Sequence, residues 1–538
     1  MSENSIVLRQ LAVGLGHSRG FADEVRERTA LWLARYVYVR ATTIGWSLFA
    51  VGLSVGCFLR CWHLNALGYN SDEAVYSGQA AAIADVPDLK PFFPIFRAHP
   101  LLFQTLDSIG YQFGAGDLFG RLLAAAFGIG TVALVFATGK LLYGMKTAAI
   151  ATVFIALMPY DVLVSRQVLL DGPTTFFATL SLFLLALYAK SRVPAWLYAA
   201  SASLGLAVLS KETSILIVGA VYAFFALTPH LETRAREVGI ALVGLAAVAA
   251  IFPLTPAFAG NSKAGQHYLA YQLFRRPNHG WTFYIATVPV AMGLLVVLAA
   301  VAGLFLLRRE SSWRETLLLA WIVVPALFFQ LYPVKGFQYL LPTAPAVALL
   351  AGRTLGRWSP PRQLFGRASA LRWLVPAATA LVALSLAVSS WHRLQPSSSG
   401  VFLAGSGGIP GGRELGRWIR ANVPEGAQLL AIGPSMANIV EFYGHRRAYG
   451  LSVGTNPLRR NPAYDPLTNP DLAIRTNDVQ YLVWDAFSSA RTPFFSNKLL
   501  AYKRRYHGRT VRVESIALKT RQGALVRRPL IVVYAVRP

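Results

Sequence analysis

Apolar residues gather along this chain in blocks of about 20, the length that crosses a ~30 Å hydrocarbon core as an α-helix. Short polar stretches separate the blocks, and because a helix satisfies its own backbone hydrogen bonds the pattern predicts a helical bundle in lipid. The blocks cover residues 41–62, 118–140, 147–165, 173–188, 196–210, 213–227, 238–256, 283–307, 317–332, 337–350 and 374–391. Basic residues orient them, since Lys and Arg are retained on the cytoplasmic side. Arg26, Arg28, Arg35 and Arg40 precede the first block, which puts residues 1–40 in the cytoplasm and the loop from His63 outside. A further segment, 99–113, carries Gln104, Asp107, Ser108 and Gln112 on one helical face and Leu102, Leu106, Ile109 and Phe113 on the other. That is the pattern of a helix lying in the interface. With it so placed, Lys140, Lys146, Lys190, Arg192, Arg234, Arg236, Arg308, Arg309 and Arg314 all fall inside. About eleven spans result, with an extracytoplasmic C-terminus.

Beyond Trp391 the pattern changes. Residues 393–412 are rich in Ser and Gly and read as a linker. Residues 413–538 then predict helices at 414–422 and 497–506 and strands at 428–432, 481–484 and 530–536, a small α/β domain outside the membrane. The expected organisation is a cytoplasmic segment 1–40, a transmembrane domain 41–392 with its outer loop 63–117, the linker and the tail domain.

Composition excludes an ordinary soluble enzyme: 54% of residues are hydrophobic, 14% are charged and the mean hydropathy is +0.45. A formal charge of +26 would suggest nucleic acid in a soluble protein. Here much of the excess lies in loops beside apolar blocks, so topology and anionic lipid explain it and no nucleic acid is expected. The tail domain carries an excess of about +12, suited to lipid headgroups or an envelope polymer. Cys57 and Cys61 lie one turn apart within the first block and read as packing residues.

The first outer loop holds Tyr69-Asn70-Ser71-Asp72-Glu73-Ala74. Adjacent acids at a membrane surface can deprotonate a hydroxyl or hold a divalent cation, and they can equally cap a helix. In the predicted topology His99, Arg121, Arg166, Asp171 and Lys335 fall near the same outer face. A phosphate-bearing ligand would account for the three cations where topology does not call for positive charge. Anchoring to headgroups, or an ion pair such as Arg166 with Asp171, is the alternative.

Taken in order, these residues resemble a family. The series runs Asp72-Glu73, His99-Pro100-Leu101, Asp117-Leu118-Phe119-Gly120-Arg121, Arg166, Asp171-Gly172-Pro173, Lys211-Glu212, and Lys335-Gly336-Phe337-Gln338-Tyr339-Leu340-Leu341-Pro342 followed by Pro345. It is similar to the GT-C glycosyltransferases of the protein O-mannosyltransferase and aminoarabinose lipid A transferase type, over residues 41–350. The resemblance implies a GT-C transmembrane fold and inverting transfer of one sugar from a polyprenyl-phosphate donor to a hydroxyl on an envelope glycan, lipid or protein. In that scheme Asp72 is the base, Glu73 orients the acceptor or a cation, and Arg121, Lys335, Arg166 and His99 bind the donor phosphate. Asp171, Tyr69 and Tyr339 orient the substrates, and a divalent cation (Mg or Mn), if used, would sit at Asp72 and Asp171.

The chain departs from the pattern in two places. His99 stands where aminoarabinose transferases carry a lysine before Pro-Pro, and Leu101 replaces the second proline. A non-catalytic transporter or flippase of lipid-linked sugar is the competing reading; it calls for inverted repeats and midplane charges, which the sequence does not display.

Overall fold

The computed structural model describes residues 42–95, 98–252, 254, 268, 271, 274–357, 373–395, 410–457, 460–519 and 525–537. The expected segment 1–40, most of the linker and most of the outer loop 257–281 lie outside the described residues.

Helix α1 (Thr42–Cys61) leads into the outer loop, which contains α2 (Ser71–Ile83) and α3 (Leu102–Gln112). The bundle continues with α4 (Gly116–Tyr143), α5 (Met145–Leu157), α6 (Pro159–Val164), α7 (Asp171–Ser191) and α8 (Pro194–Ser210). A 3-10 turn, Glu212–Ile215, precedes α9 (Leu216–Ala226); then come α10 (Ala235–Ala249), α11 (Phe283–Met292), α12 (Leu294–Leu306) and α13 (Trp313–Leu331). A second 3-10 stretch, Phe337–Thr343, opens α14 (Ala344–Arg357), and α15 (Leu374–Leu394) closes the bundle.

Every predicted block contains helix, but the blocks are not uniform spans. Among the described residues, five helices are long and apolar enough to cross a membrane, or six with a bent pair counted as one. Two corrections have local causes. The block 147–165 is interrupted at Met158, because Pro159 has no N–H to continue the ladder and starts α6 instead. The block 283–307 is two helices bent by 101° at Gly293, whose φ of +88° only glycine adopts freely. Helix α3 has 11 residues, far too few to span. Its polar Gln104, Asp107 and Ser108 are buried against the protein while Ile109 and Phe113 are exposed, so the apolar side chains face away from the protein.

One charge pair inside the bundle lay unread in the sequence. Arg60, fully buried on α1, pairs with Asp161 on α6 and donates to the carbonyls of Gly56, Ala156 and Ile155. Since α6 follows the break at Met158, this pair fastens a short helix that has little packing length of its own.

The tail domain comprises α16 (Gly412–Asn422), β1 (Leu429–Ala431), α17 (Pro434–Gly444), β2 (Ala448–Gly450), α18 (Pro470–Arg475), β3 (Tyr481–Asp485), α19 (Ala486–Arg491), α20 (Pro493–Arg505), β4 (Arg509–Lys519) and β5 (Leu525–Ala535). The sheet order is β2-β1-β3-β5-β4, with β2, β1 and β3 parallel and the last two antiparallel. Strand β4 was not predicted, and β5 begins five residues earlier than expected; Arg and Glu interrupt the apolar run in β4, and Arg527 and Arg528 interrupt it in β5. The domain packs directly on the outer loop: Tyr69, Ala74, Phe93 and Phe103 share one buried apolar cluster with Leu415, Ile419, Phe442 and Tyr443. Thr42–Leu394 and this domain therefore meet at the residues singled out for chemistry.

Candidate active site

Helix α2 begins with a capping box. The Asn70 side chain accepts from the N–H groups of Asp72 and Glu73, and the Glu73 carboxylate accepts from the Asn70 N–H at 3.0 Å. The helix-capping reading of the acidic pair thus describes Glu73, while Asp72 stands half-buried in the first turn.

Eight of the nine expected site residues fall into two groups. In the first, Glu73 and Arg121 form a bidentate pair at 2.8 and 2.9 Å. Arg121 spends its other donors on the carbonyls of Leu64, Leu67 and Gly68. A guanidinium has five N–H groups, and all are committed. Glu73 accepts in addition from the Val168 N–H. Tyr69 is 1% exposed, with its hydroxyl donating to the Asp117 carbonyl and lying 3.2 Å from the Ser77 hydroxyl. These three residues bind the loop to itself, and none has a polar group left over for substrate. Arg166 likewise donates to the carbonyls of Leu59 and Trp62, and does not pair with Asp171.

The second group gathers around Tyr76 of α2. Asp171, at the start of α7, pairs with Lys211 at 2.7 Å. The Lys211 ammonium lies 5.1 Å from the centre of the Tyr339 ring. His99 donates from Nδ1 to Glu212, and its Nε2 faces the Tyr268 hydroxyl at 3.4 Å. Tyr76, one turn after Asp72, has its ring 6.1 Å from that of His99. Desolvation pushes the Tyr76 phenol well above its ordinary range, and the carboxylates of Asp72, Asp171 and Glu212 push it further. Three carboxylates and the His99 ring therefore stand around one tyrosine, with Lys211 paired to one of the three.

Lys335 stands apart from both groups. Its ammonium is 5% exposed and donates to the carbonyls of Gln330 and Tyr332 at the C-terminal end of α13, with a third contact to Phe329. The cation-binding expectation at Asp72 and Asp171 does not fit, because Asp171 is occupied by Lys211. Among the described residues no group of three or more His, Cys, Asp or Glu side chains is placed to hold a metal ion.

Tyr76 and Tyr268 were missed from the sequence, and Lys211 and Glu212 were noted there without a role. Lys211-Glu212 was visible as a charged pair ending an apolar helix at the outer face, but nothing local showed its partners 40 and 113 residues away. Tyr76 was within reach, being four residues beyond Asp72 on a capped helix.

Beneath the site, Asp107 of α3 is 1% exposed and accepts one hydrogen bond, from Ser77, while its second oxygen has no partner. Burial pushes its carboxyl up to about 7, with Asp117 adding to the rise and Ser77 opposing it. The folded protein thus keeps this proton while the unfolded chain loses it above pH ~4, so the stability it contributes is present in acid and is lost as pH rises toward 7. In Asp107→Asn that loss disappears. The apparent unfolding midpoint of the variant, equal to wild type at pH 4, is expected to lead it by several degrees at pH 8. Parallel pH curves for the two proteins would refute this.

A family model described as dolichyl-phosphate-mannose-protein mannosyltransferase matches residues 98–256. Among solved structures the chain is similar to ArnT from Cupriavidus metallidurans bound to undecaprenyl phosphate, at 14% identity over 93% of this chain and 98% of that one, with a TM-score of 0.59. It is also similar to the archaeal oligosaccharyltransferase AglB from Archaeoglobus fulgidus, in complex with an inhibitory peptide and a dolichol-phosphate, at 14% identity over 90% and 74%, TM-score 0.58. A third similarity is to the arabinofuranosyltransferase AftD from Mycobacteria, at 15% identity over 91% and 40%, TM-score 0.51. No curated protein matches the sequence.

Proposed function

Starting from a multi-pass membrane protein of the GT-C glycosyltransferase fold, we propose that this chain transfers one sugar from a polyprenyl-phosphate donor to a hydroxyl on an envelope glycan, lipid or protein, at the extracytoplasmic face. The observation that carries the reading is the cluster beside Asp72: Asp171–Lys211, His99–Glu212, Tyr76, Tyr268 and Tyr339. The donor class rests on the ligands of two neighbours, undecaprenyl phosphate and dolichol-phosphate.

In this scheme the acceptor oxygen attacks the anomeric carbon as Asp72 takes its proton. The anomeric carbon–oxygen bond to phosphate breaks with its electron pair going to the phosphate, and polyprenyl phosphate leaves. Attack opposite the leaving group inverts the anomeric centre. Lys211 supplies positive charge to the growing phosphate charge, which a preorganised site stabilises more than water does. Asp171 holds that cation in place, Glu212 fixes the His99 ring, and Tyr339 and Tyr76 shape the sugar site. Glu73, Arg121 and Tyr69 take the part of supports for the loop that presents Asp72, and Lys335 and Arg166 brace neighbouring backbone.

The test is transfer by the full-length protein in lipid nanodiscs, given radiolabelled polyprenyl-phosphate sugars and envelope acceptors. The expected result is one polyprenyl phosphate released per acceptor glycosylated, with inverted configuration. Label carried across a proteoliposome bilayer without any transfer would instead establish the transporter reading.

A further inference from the structure

We propose that helix α17 of the tail domain sets the position of Asp72, with Tyr443 and Asn438 as positioning residues; this rests on Asp72 being the base. The three residues before Asp72 are each tied down, two of them by α17. The Tyr443 hydroxyl accepts from the Tyr69 N–H at 2.9 Å, across 374 residues of sequence. The Asn438 amide donates to the Ser71 hydroxyl at 2.9 Å. Between them, Asn70 donates to Gln167 of the transmembrane domain at 2.7 Å. Both α17 groups are shielded from water, Asn438 being 2% and Tyr443 8% exposed, so neither bond is readily replaced by solvent.

Packing reinforces the hydrogen bonds. The Tyr69 ring lies 5.2 Å from that of Phe442 and 6.0 Å from that of Tyr443. From α16, Arg413 donates to the carbonyls of Asn65 and Leu67 and to the Asn65 side chain. A Cβ on Gly68 would come within 2.8 Å of the Arg413 Cβ, so the loop touches the tail domain where only glycine fits. The loop 64–71 is thus gripped from within by Arg121 and from above by α16 and α17. Neither Tyr443 nor Asn438 belongs to the cluster of His99, Asp171 and Lys211. Their loss moves the base without altering the proposed donor contacts, and a displacement near 1 Å at a reacting group costs on the order of 10²-fold in rate.

The experiment compares Tyr443→Phe and Asn438→Ala in the full chain, with Asp72→Asn and Arg420→Ala alongside. Each α17 variant is expected to lose about ten-fold in kcat with donor KM unchanged and an apparent unfolding midpoint near that of wild type. Asn438→Asp, which can accept from the Ser71 hydroxyl, is expected to recover part of the rate. Arg420→Ala, which removes only an exposed contact with Asp88, is expected to match wild type. Wild-type kcat in both α17 variants, beside an inactive Asp72→Asn, would overturn this inference alone. A fall in kcat and midpoint together with a rise in donor KM would also overturn it, in favour of general loosening. An active Asp72→Asn would instead remove the reading of the site itself.

Discussion

Replacing Asp72 by Asn is expected to lower the rate of sugar transfer by about 10³-fold, with donor KM nearly unchanged and the fold intact. The size follows from the role, since a positioned general base contributes roughly 10²- to 10⁴-fold. The fold is spared because the cap of α2 is made by Asn70 and Glu73; the Asp72 backbone N–H, not its carboxylate, takes part. Its place near the helix N-terminus accounts for about 0.3–1 kcal/mol of what the substitution removes. Steady-state transfer measured beside thermal unfolding checks both halves. A variant that melts like wild type and transfers at an equal rate would remove Asp72 as the base. Asp72→Glu provides a second reading: it keeps the carboxylate but moves it by one methylene, so partial activity is expected where Asn has almost none.

How much of this was legible in the sequence depends on how far apart the interacting residues stand. The helices were visible because a membrane-length apolar block declares itself over some 20 neighbouring residues. The short amphipathic helix at Leu102–Gln112 was visible for the same reason. Its non-spanning character follows from its polar face being buried against the protein. The kink at Gly293 was not visible, because a glycine in an apolar run is compatible with a straight span until neighbouring packing forces a positive φ.

The site was legible as a set of residues and illegible as a set of partners. Sequence and topology placed Arg121, Arg166 and Lys335 together at one face, where a phosphate was a reasonable explanation of three cations. In the structure each answers to nearby backbone carbonyls, a demand that charge patterns do not display. Conversely, Lys211-Glu212 was noticed but given no role, since the meaning of the pair lies in Asp171 and His99, on separate helices. The contribution of the tail domain was the least accessible of all. Tyr443 and Asn438 sit in a module that reads as independent in composition, and only the folded contact shows that it rests on Tyr69 and Ser71.

The role of Arg121 has a large and measurable consequence. A phosphate-binding arginine and a structural one predict opposite results for Arg121→Ala. The structural role predicts destabilisation without any donor present, because Glu73 would be left 2% exposed without its ion-pair partner. Breaking one side of a buried pair costs about 3–5 kcal/mol, and here three loop carbonyls lose their donors as well. The apparent unfolding midpoint of donor-free protein is expected to fall by about 10 °C or more, and transfer activity to disappear with it as the loop carrying Asp72 loses its brace. Removing both charges, as Arg121→Met with Glu73→Gln, is expected to restore part of the stability, because an unpaired buried ion costs more than a neutral pair of similar shape. Arg121→Lys is expected to fail, since one ammonium cannot span a carboxylate and three carbonyls. Should Arg121→Ala instead melt with wild type and raise donor KM alone, the arginine belongs to the donor phosphate after all. The five hydrogen bonds that bind it to Glu73 and residues 64–68 would then have to open when donor arrives.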